Sequence, residues 1–144
     1  MNPTPDPYNL QRFVDAQEPV ISGVLAELKH GRKRGHWIWF IFPQLKGLGR
    51  SSTSEFYGIT SLAEAMAYLK HPVLGQRLKQ CTQLVNAIEG SDAEDIFGEI
   101  DAMKFRSCMT LFARADPGNH AFADALEKYF AGDPDPMTMS LLDQ

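Results

Sequence analysis

The residues of this chain that could do chemistry are concentrated between Gly35 and Ser52. The second half of this stretch is a glycine-rich loop, Lys46-Gly-Leu-Gly-Arg-Ser-Ser52. Its glycines free the backbone to turn several N–H groups toward one point, and the flanking cations add positive charge, so the loop is a candidate anion cradle. It matches neither the Walker loop nor the GxGxxG fingerprint. An ordinary surface turn remains the competing interpretation.

The first half of the stretch is a dense aromatic block in which Trp37 and Trp39 precede Phe42. A buried tryptophan needs a hydrogen-bond partner for its indole N–H, so two close together often border a polar pocket, although such a block can also be pure core. Gln44 follows the block as a candidate polar contact. His36, at its start, is a candidate general acid–base because histidine titrates near neutral pH.

A second candidate group contains Lys104 and Arg106. If Asp101 caps the helix that carries them, both cations lie in its first two turns, where they oppose the helix dipole. An anion bound jointly by the helix N–H groups and the two cations would offset that cost. Two alternatives remove the argument: an earlier helix start near Asp92, and an ion pair of the cations with Asp101 or Glu99.

These patterns predict a site for a small anionic or nucleotide-like ligand, with His36 and Lys104 as catalytic candidates. The candidate ligand contacts are Trp37, Trp39, Gln44, Lys46, Gly47, Gly49, Arg50, Ser51, Arg106 and Ser107. No metal and no cofactor is expected, because the four histidines lack metal-ligand spacing and the two cysteines form no CxxC pair. The nucleophile elbow GxSxG is also absent.

Charge is distributed unevenly along the chain. The segment 28–54 contains six basic residues and no acidic one, although the net charge of the whole chain is −4. A net negative chain is a poor nucleic-acid binder, so nucleic acid is not expected as a partner. The local positive charge can attract a small anion. It also fits a solvated turn after a helix, where cations suit the dipole.

The rest of the chain is dominated by helical patterns. Apolar residues recur at 3.6-residue spacing in the segments 21–28, 74–88 and 105–112, which predicts three helices facing one core. The four-residue patterns 61–64 and 91–94 are typical of capping boxes. No hairpin-bounded alternation occurs, so no sheet is expected. The aromatic block 37–42 is expected to be a buried helical turn.

The expected fold is therefore all-α: a single compact orthogonal multi-helix domain of about six to eight helices over residues 1–144. Residues 1–6 are expected to form a flexible N-terminus, and residues 132–144 a C-terminal turn and tail. No apolar run approaches the ~18 residues of a membrane helix, so no membrane partner is expected. Without a secretory signal or paired cysteines, a cytoplasmic location is expected. The oligomeric state is left open.

Three longer motifs carry a family resemblance. They are the run from His36 to Gly49, the run Tyr68-Leu-Lys-His-Pro-Val-Leu-Gly75, and Lys104-Phe-Arg-Ser107 with the following Thr-Leu-Phe112. Together they resemble the bacterial DUF1810 family, sometimes labelled calpastatin, although nothing in this sequence supports protease inhibition. The resemblance implies a small, all-helical, stand-alone cytoplasmic domain and no established activity. The chain departs from the family at Cys108, where serine is more common.

A shorter resemblance involves Asp101, Met103 and Lys104-Phe105, which are similar to part of a helix in the NADAR superfamily. That superfamily handles ADP-ribose derivatives, so the resemblance implies a nucleotide-sugar pocket.

Two functions therefore compete. The first is a binder or hydrolase-like enzyme for a small phosphorylated nucleotide-type ligand, such as an ADP-ribose derivative. The second is a non-catalytic protein-interaction domain whose aromatic block is core or partner surface. Convergence of His36, Trp39, Gln44, Lys104 and Arg106 on one concavity would favour the first.

Overall fold

A computed structural model describes residues 5–144, and this part of the chain contains ten α-helices and no strand. The helices are Gln11–Gln17 (α1), Ile21–Lys29 (α2), Ile38–Ile41 (α3), Ser52–Phe56 (α4), Leu62–Lys70 (α5), Leu74–Asn86 (α6), Ala93–Phe97 (α7), Glu99–Ala115 (α8), His120–Phe130 (α9) and Pro136–Leu142 (α10). The all-α prediction is confirmed, but the expected count of six to eight helices is wrong. The helices α3, α4 and α7 have only four or five residues, too few for a helical period to show.

Local capping chemistry starts several helices. Ser61 caps α5 and Asn119 caps α9, each by accepting a hydrogen bond from a backbone N–H. The second capping box begins one residue later than the sequence suggested. It joins Asp92 to Asp95, because the shorter carboxylate at position 95 reaches back to the N–H of the capping residue.

The long helix α8 is the centre of the molecule and packs against α3, α5, α7, α9 and α10. Its inward side chains include Phe105 and Phe112, which are fully buried. Phe42, from the aromatic block, meets Phe97 and Phe105 edge to face, with ring centroids 5.9 and 5.0 Å apart. The aromatic block is therefore a buried helical turn, as predicted, and it anchors the loop that follows it against α8.

The C-terminal segment is held against α8 by polar contacts. Arg106 donates hydrogen bonds to the carbonyls of Asp133 and Pro134, and the backbone N–H of Asp135 donates to Thr110 Oγ1. These contacts place the start of α10 beside the middle of α8. Residues 1–4, most of the expected flexible N-terminus, lie outside the described residues. Within residues 5–144, every helix is too short or too polar to cross a membrane.

Candidate functional site

A cavity of about 300 Å³ lies between the loop after α3, the N-terminal half of α8 and the start of α10. We call it the α8 cavity. It is lined by Gln44, Leu48, Gly49, Ile100, Met103, Lys104, Ser107, Asp135 and Met137. Its volume is at the lower end of the range for small-molecule sites. The two segments that sequence analysis singled out, the glycine loop and the region of Lys104, thus border one concave surface.

Gln44 supplies an unpaired amide to this cavity. Its backbone carbonyl accepts a hydrogen bond from the Ile59 N–H at 3.0 Å, and the Lys46 N–H donates to the Ile59 carbonyl at 2.7 Å. The residue is only 8% exposed, and within residues 5–144 its side-chain amide makes no hydrogen bond. The amide atoms keep contact with solvent, since among the described residues Asn86 Oδ1 is the one buried side-chain polar atom without a partner. The amide of Gln44 is therefore available to a ligand.

Gly49 is required for close packing. A Cβ atom at this position would lie 2.7 Å from Ser54 Cβ, too close for any other residue. Ser54 is itself locked to Ser51, since Ser54 Oγ donates to the Ser51 carbonyl and Ser51 Oγ accepts from the Ser54 N–H. Within the described part of the chain, the backbone N–H groups of Gly47, Gly49 and Arg50 donate no hydrogen bond, whereas that of Leu48 closes the turn at residues 46–47. Leu48 and Gly49 both line the cavity.

Lys104 contributes positive charge to the cavity. Its Nζ lies 3.5 Å from Asp101 Oδ1 and 5.4 Å from the centre of the Trp39 ring. The other oxygen of Asp101 is 2.7 Å from Nζ of Lys33, a nearly buried lysine. One carboxylate therefore serves two lysines, and this group keeps a formal charge of +1. The side chain of Lys104 is held in place while part of its charge stays available to an anion.

Asp135 is the carboxylate that lines the cavity. Its Oδ2 accepts hydrogen bonds from the Thr138 N–H and Oγ1 at 2.9 and 2.6 Å, which caps α10. Three exposed apolar side chains surround the polar ones: Ile100, Met103 and Met137 are 70%, 66% and 61% exposed. The cavity thus combines an apolar rim with a few fixed polar groups, as ligand sites do.

Arg106 does not reach the α8 cavity. Its guanidinium is held by the carbonyls of Asp133 and Pro134, lies 5.7 Å from the centre of the Phe130 ring and borders a separate cavity. The dipole argument for an anion at Lys104 and Arg106 is also wrong. The helix begins after Gly98 rather than at Asp101, because Gly98 adopts a φ of 82° that ends α7 there. The alternative, an ion pair between Lys104 and Asp101, is what the structure shows.

The remaining predicted site residues lie at or beyond the edge of the α8 cavity. His36 is exposed and does not line it, and Trp39 touches Lys104 from outside it. Trp37 is buried, and its indole donates to Glu27 Oε1 at 3.1 Å. Lys46 lines a different cavity and pairs weakly with Glu55.

The outer part of the glycine loop is exposed to solvent. Gly47, Arg50 and Ser51 are all exposed there and do not line the cavity. Ser51 has a structural role because it caps α4.

Sequence reasoning missed five residues of the cavity: Leu48, Ile100, Met103, Asp135 and Met137. The pair Asp135-Pro136 carried a signal, since an aspartate before a proline is typical of a helix start. The apolar residues carried none, because their exposure depends on how the helices pack. Within residues 5–144, no cluster of histidine, cysteine or acidic side chains could hold a metal ion.

The fold and the cavity define a small, all-helical protein with a ligand-sized cavity on its central helix. The chain belongs to the DUF1810 family, described as a protein of unknown function, whose sequence model matches residues 7–142. The resemblance seen in the sequence is thereby confirmed. The structure is similar to a crystal structure of a conserved hypothetical protein from Mycobacterium tuberculosis, with 54% identity and a TM-score of 0.96, covering 96% of this chain and 99% of that one. No curated protein matches the chain.

Proposed function

We propose that this protein binds a small phosphorylated, nucleotide-type ligand in the α8 cavity. The observation that carries this proposal is that one cavity is lined both by Gln44, whose side-chain amide has no partner within the described residues, and by Lys104, a cation. An amide without a protein partner is free to exchange its water for a hydrogen bond to a ligand. The rest of the polar lining is held in fixed positions before any ligand arrives, which lowers the entropy lost on binding.

The lining residues suggest how such a ligand is divided among them. The Lys104 ammonium and the free N–H group of Gly49 suit a phosphate, because charge-assisted and backbone donors both favour anions. The rim side chains Met103 and Met137 offer an apolar surface to a base. Thioethers adapt well to flat aromatic groups.

The volume of the cavity limits how much of a ligand it encloses. About 300 Å³ corresponds to roughly ten water molecules, which suits a mononucleotide or a part of one. The rest of an ADP-ribose derivative would extend over the exposed outer loop, where Lys46 and Arg50 supply further positive charge. The similarity to the NADAR superfamily stays a prediction.

The geometry favours a binding protein over a hydrolase. Hydrolysis needs a general base that faces the scissile bond. His36 does not line the cavity, and one oxygen of Asp135 already accepts two hydrogen bonds as a helix cap. Lys104 is then a charge clamp for a phosphate and takes no part in chemistry.

Calorimetric titration with AMP, ADP-ribose, adenosine and inorganic phosphate tests the proposal, supported by thermal shifts. AMP should bind and raise the melting temperature. K104Q should weaken AMP binding about tenfold and leave adenosine binding nearly unchanged, since only the phosphate contact is lost. The matched control is K79Q, which removes the same charge from an exposed site on α6. No binding by the wild type, or equal losses in K104Q and K79Q, would overturn the proposal.

A non-catalytic interaction domain is the second candidate, and one observation favours it. Ile100, Met103 and Met137 form an exposed apolar group, and methionines are frequent at protein-binding surfaces. A photo-crosslinking residue at position 103 tests this candidate against the same residue at the exposed position 80. A discrete adduct formed from position 103 alone, and not displaced by nucleotide, would favour it.

A further inference from the structure

We propose that the end of α2 and the loop after it form a docking surface for a short carboxylate-rich segment of a partner protein. The side chains that would bind this segment are those of Lys29, Arg32 and Arg34, which we call the basic patch. None of the three lines the α8 cavity. The inference therefore goes beyond the proposed ligand and does not depend on it.

The two arginines of the basic patch lie on either side of a lysine that faces inward. Lys33 is 7% exposed, and its Nζ lies 2.7 Å from Asp101 Oδ2. Arg32 and Arg34 are exposed, and within the described residues their side chains make no hydrogen bond and no ion pair. Two depressions of about 500 and 490 Å³ adjoin them, and both arginines line each depression. The inward position of Lys33 thus leaves two neighbouring guanidinium groups available to a partner.

The backbone that carries the arginines is held by hydrogen bonds to two helices. The Arg32 N–H donates to the Glu27 carbonyl at 3.1 Å, and the Lys33 N–H donates to the Ile96 carbonyl at 2.7 Å. The side chain of Glu27 accepts from the Arg34 N–H, so this carboxylate is engaged with the backbone. A loop that is ordered before binding loses less entropy when a partner docks.

The helix dipole explains only one cation of the basic patch. Cations are stabilised in the last turn of a helix, and the effect falls off beyond that turn. Lys29 lies in the last turn of α2, whereas Arg32 and Arg34 follow the end of the helix. Among the described residues, Glu27 is the one carboxylate that lines the two depressions. The basic patch together with Glu27 keeps a formal charge of +2, so a bound anion would relieve the repulsion between its cations.

The basic patch suits carboxylates better than nucleic acid or a membrane. A guanidinium group binds a carboxylate through two parallel, charge-assisted hydrogen bonds. Proteins that bind single-stranded nucleic acid add aromatic side chains on which bases stack, and membrane-surface segments add apolar ones. Neither is present at the basic patch, because the exposed large apolar side chains of the described residues all lie elsewhere: Phe56, Met66, Ile100, Met103 and Met137.

The neighbouring helix α7 limits the length of the partner segment. The hydrogen bond from Lys33 to the Ile96 carbonyl places the loop against α7. This helix carries the exposed acidic side chains Glu94 and Asp95, which repel a long polyanion or an anionic membrane surface. A short acidic segment can contact the arginines without meeting these carboxylates.

Fluorescence anisotropy tests the inference with a labelled peptide of alternating glutamate and glycine, and with its glutamine counterpart as the uncharged control. The wild type should bind the glutamate peptide at low salt with a Kd below about 100 μM, and high salt should abolish the binding. R32Q/R34Q should weaken binding at least about tenfold. The matched control K70Q/K79Q removes the same charge from exposed sites on α5 and α6 and should change binding less than about twofold.

Thermal unfolding separates a binding role of the arginines from a structural one. R32Q/R34Q should melt at or slightly above the wild-type temperature, because the change removes repulsion and breaks no contact. A fall of more than about 4 °C would show that the arginines support the fold and would overturn the inference.

The other outcomes are equally decisive. No binding of the glutamate peptide by the wild type, or equal losses in the two double variants, would overturn the inference. Two further probes are labelled octathymidylate and vesicles of equal parts phosphatidylcholine and phosphatidylserine. Tighter binding of either than of the glutamate peptide would assign the basic patch to nucleic acid or to a membrane, and would overturn the choice of a protein partner.

Discussion

Arg12 and Glu64 are 52 positions apart in the chain, yet Arg12 Nη2 lies 2.9 Å from Glu64 Oε2 and both side chains are almost excluded from solvent. All five N–H groups of the guanidinium are used, since it also donates to the carbonyls of Tyr8, Asn9, Phe56 and Gly58. The other oxygen of Glu64 accepts from the N–H and Oγ1 of Thr60. The pair thus fixes the segment whose Ile59 bonds to the Gln44 carbonyl and the Lys46 N–H, on either side of Leu45.

The first prediction concerns this buried pair. E64Q should lower the free energy of unfolding by about 3–5 kcal/mol, because it leaves the buried Arg12 charge without a counter-charge. Urea denaturation measures the loss. The control is E55Q, which breaks the exposed contact of Glu55 with Lys46 at 3.7 Å and should cost less than about 1 kcal/mol. Equal costs for the two variants would show that the pair is no stronger than a surface contact.

The second prediction concerns two helical glycines. A Cβ atom at Gly75 would lie 2.1 Å from the Leu69 carbonyl oxygen, so G75A must push α5 and α6 apart and should cost about 1–3 kcal/mol. Gly23, in α2, has nothing within 4 Å of such an atom. G23A should therefore stabilise the protein by about 0.5–1 kcal/mol. Thermal unfolding of G75A and G23A checks both expectations. A G75A protein as stable as the wild type would contradict the packing described for α5 and α6.

The third prediction concerns the aromatic core. Phe112 is fully buried, and its ring centroid lies 5.4 Å from that of Tyr68 and 5.8 Å from that of Phe122. F112A should cost about 3–5 kcal/mol, because the truncated side chain leaves a cavity. Phe56 is 55% exposed, and F56A should cost less than about 1 kcal/mol. A loss below about 1 kcal/mol for F112A, measured by urea denaturation, would mean that this face of α8 is not core.

The fourth prediction concerns pH. Partial burial acts to raise the pKa of Glu27, but hydrogen bonds from the Arg34 and Gly35 N–H groups and the Trp37 indole lower it below its ordinary value of 4.5. A carboxylate whose pKa is lower in the folded than in the unfolded state stabilises the fold fully at a pH above its unfolded-state pKa. That contribution is lost as the pH falls through its folded-state pKa. E27Q should therefore be less stable than the wild type at pH 7. The difference should shrink as the pH falls below about 4.5. A difference that stays constant down to pH 3 would contradict this.

Much of the fold could be predicted because its signals are local. The apolar periods of α2, α6 and α8 and the caps of α5 and α9 depend on neighbours within one helical turn, so they are visible in the sequence. The five-residue helix α4 was not predicted, because little more than one turn of helix shows no apolar period. The start of α8 escaped because it depends on the backbone conformation of Gly98.

The candidate site divides in the same way. The sequence by itself determined which residue types could bind a ligand or take part in a reaction, and it identified Gln44, Gly49 and Lys104 as candidates. Helix geometry could have separated Lys104 from Arg106, because residues two apart do not share a helix face. Only the tertiary structure decided that Asp135 and Gln44 line one cavity. The proximity of these two residues depends on how α10 and the loop after α3 pack against α8. Packing between segments far apart in the sequence produces no periodic pattern of residues from which it could be predicted.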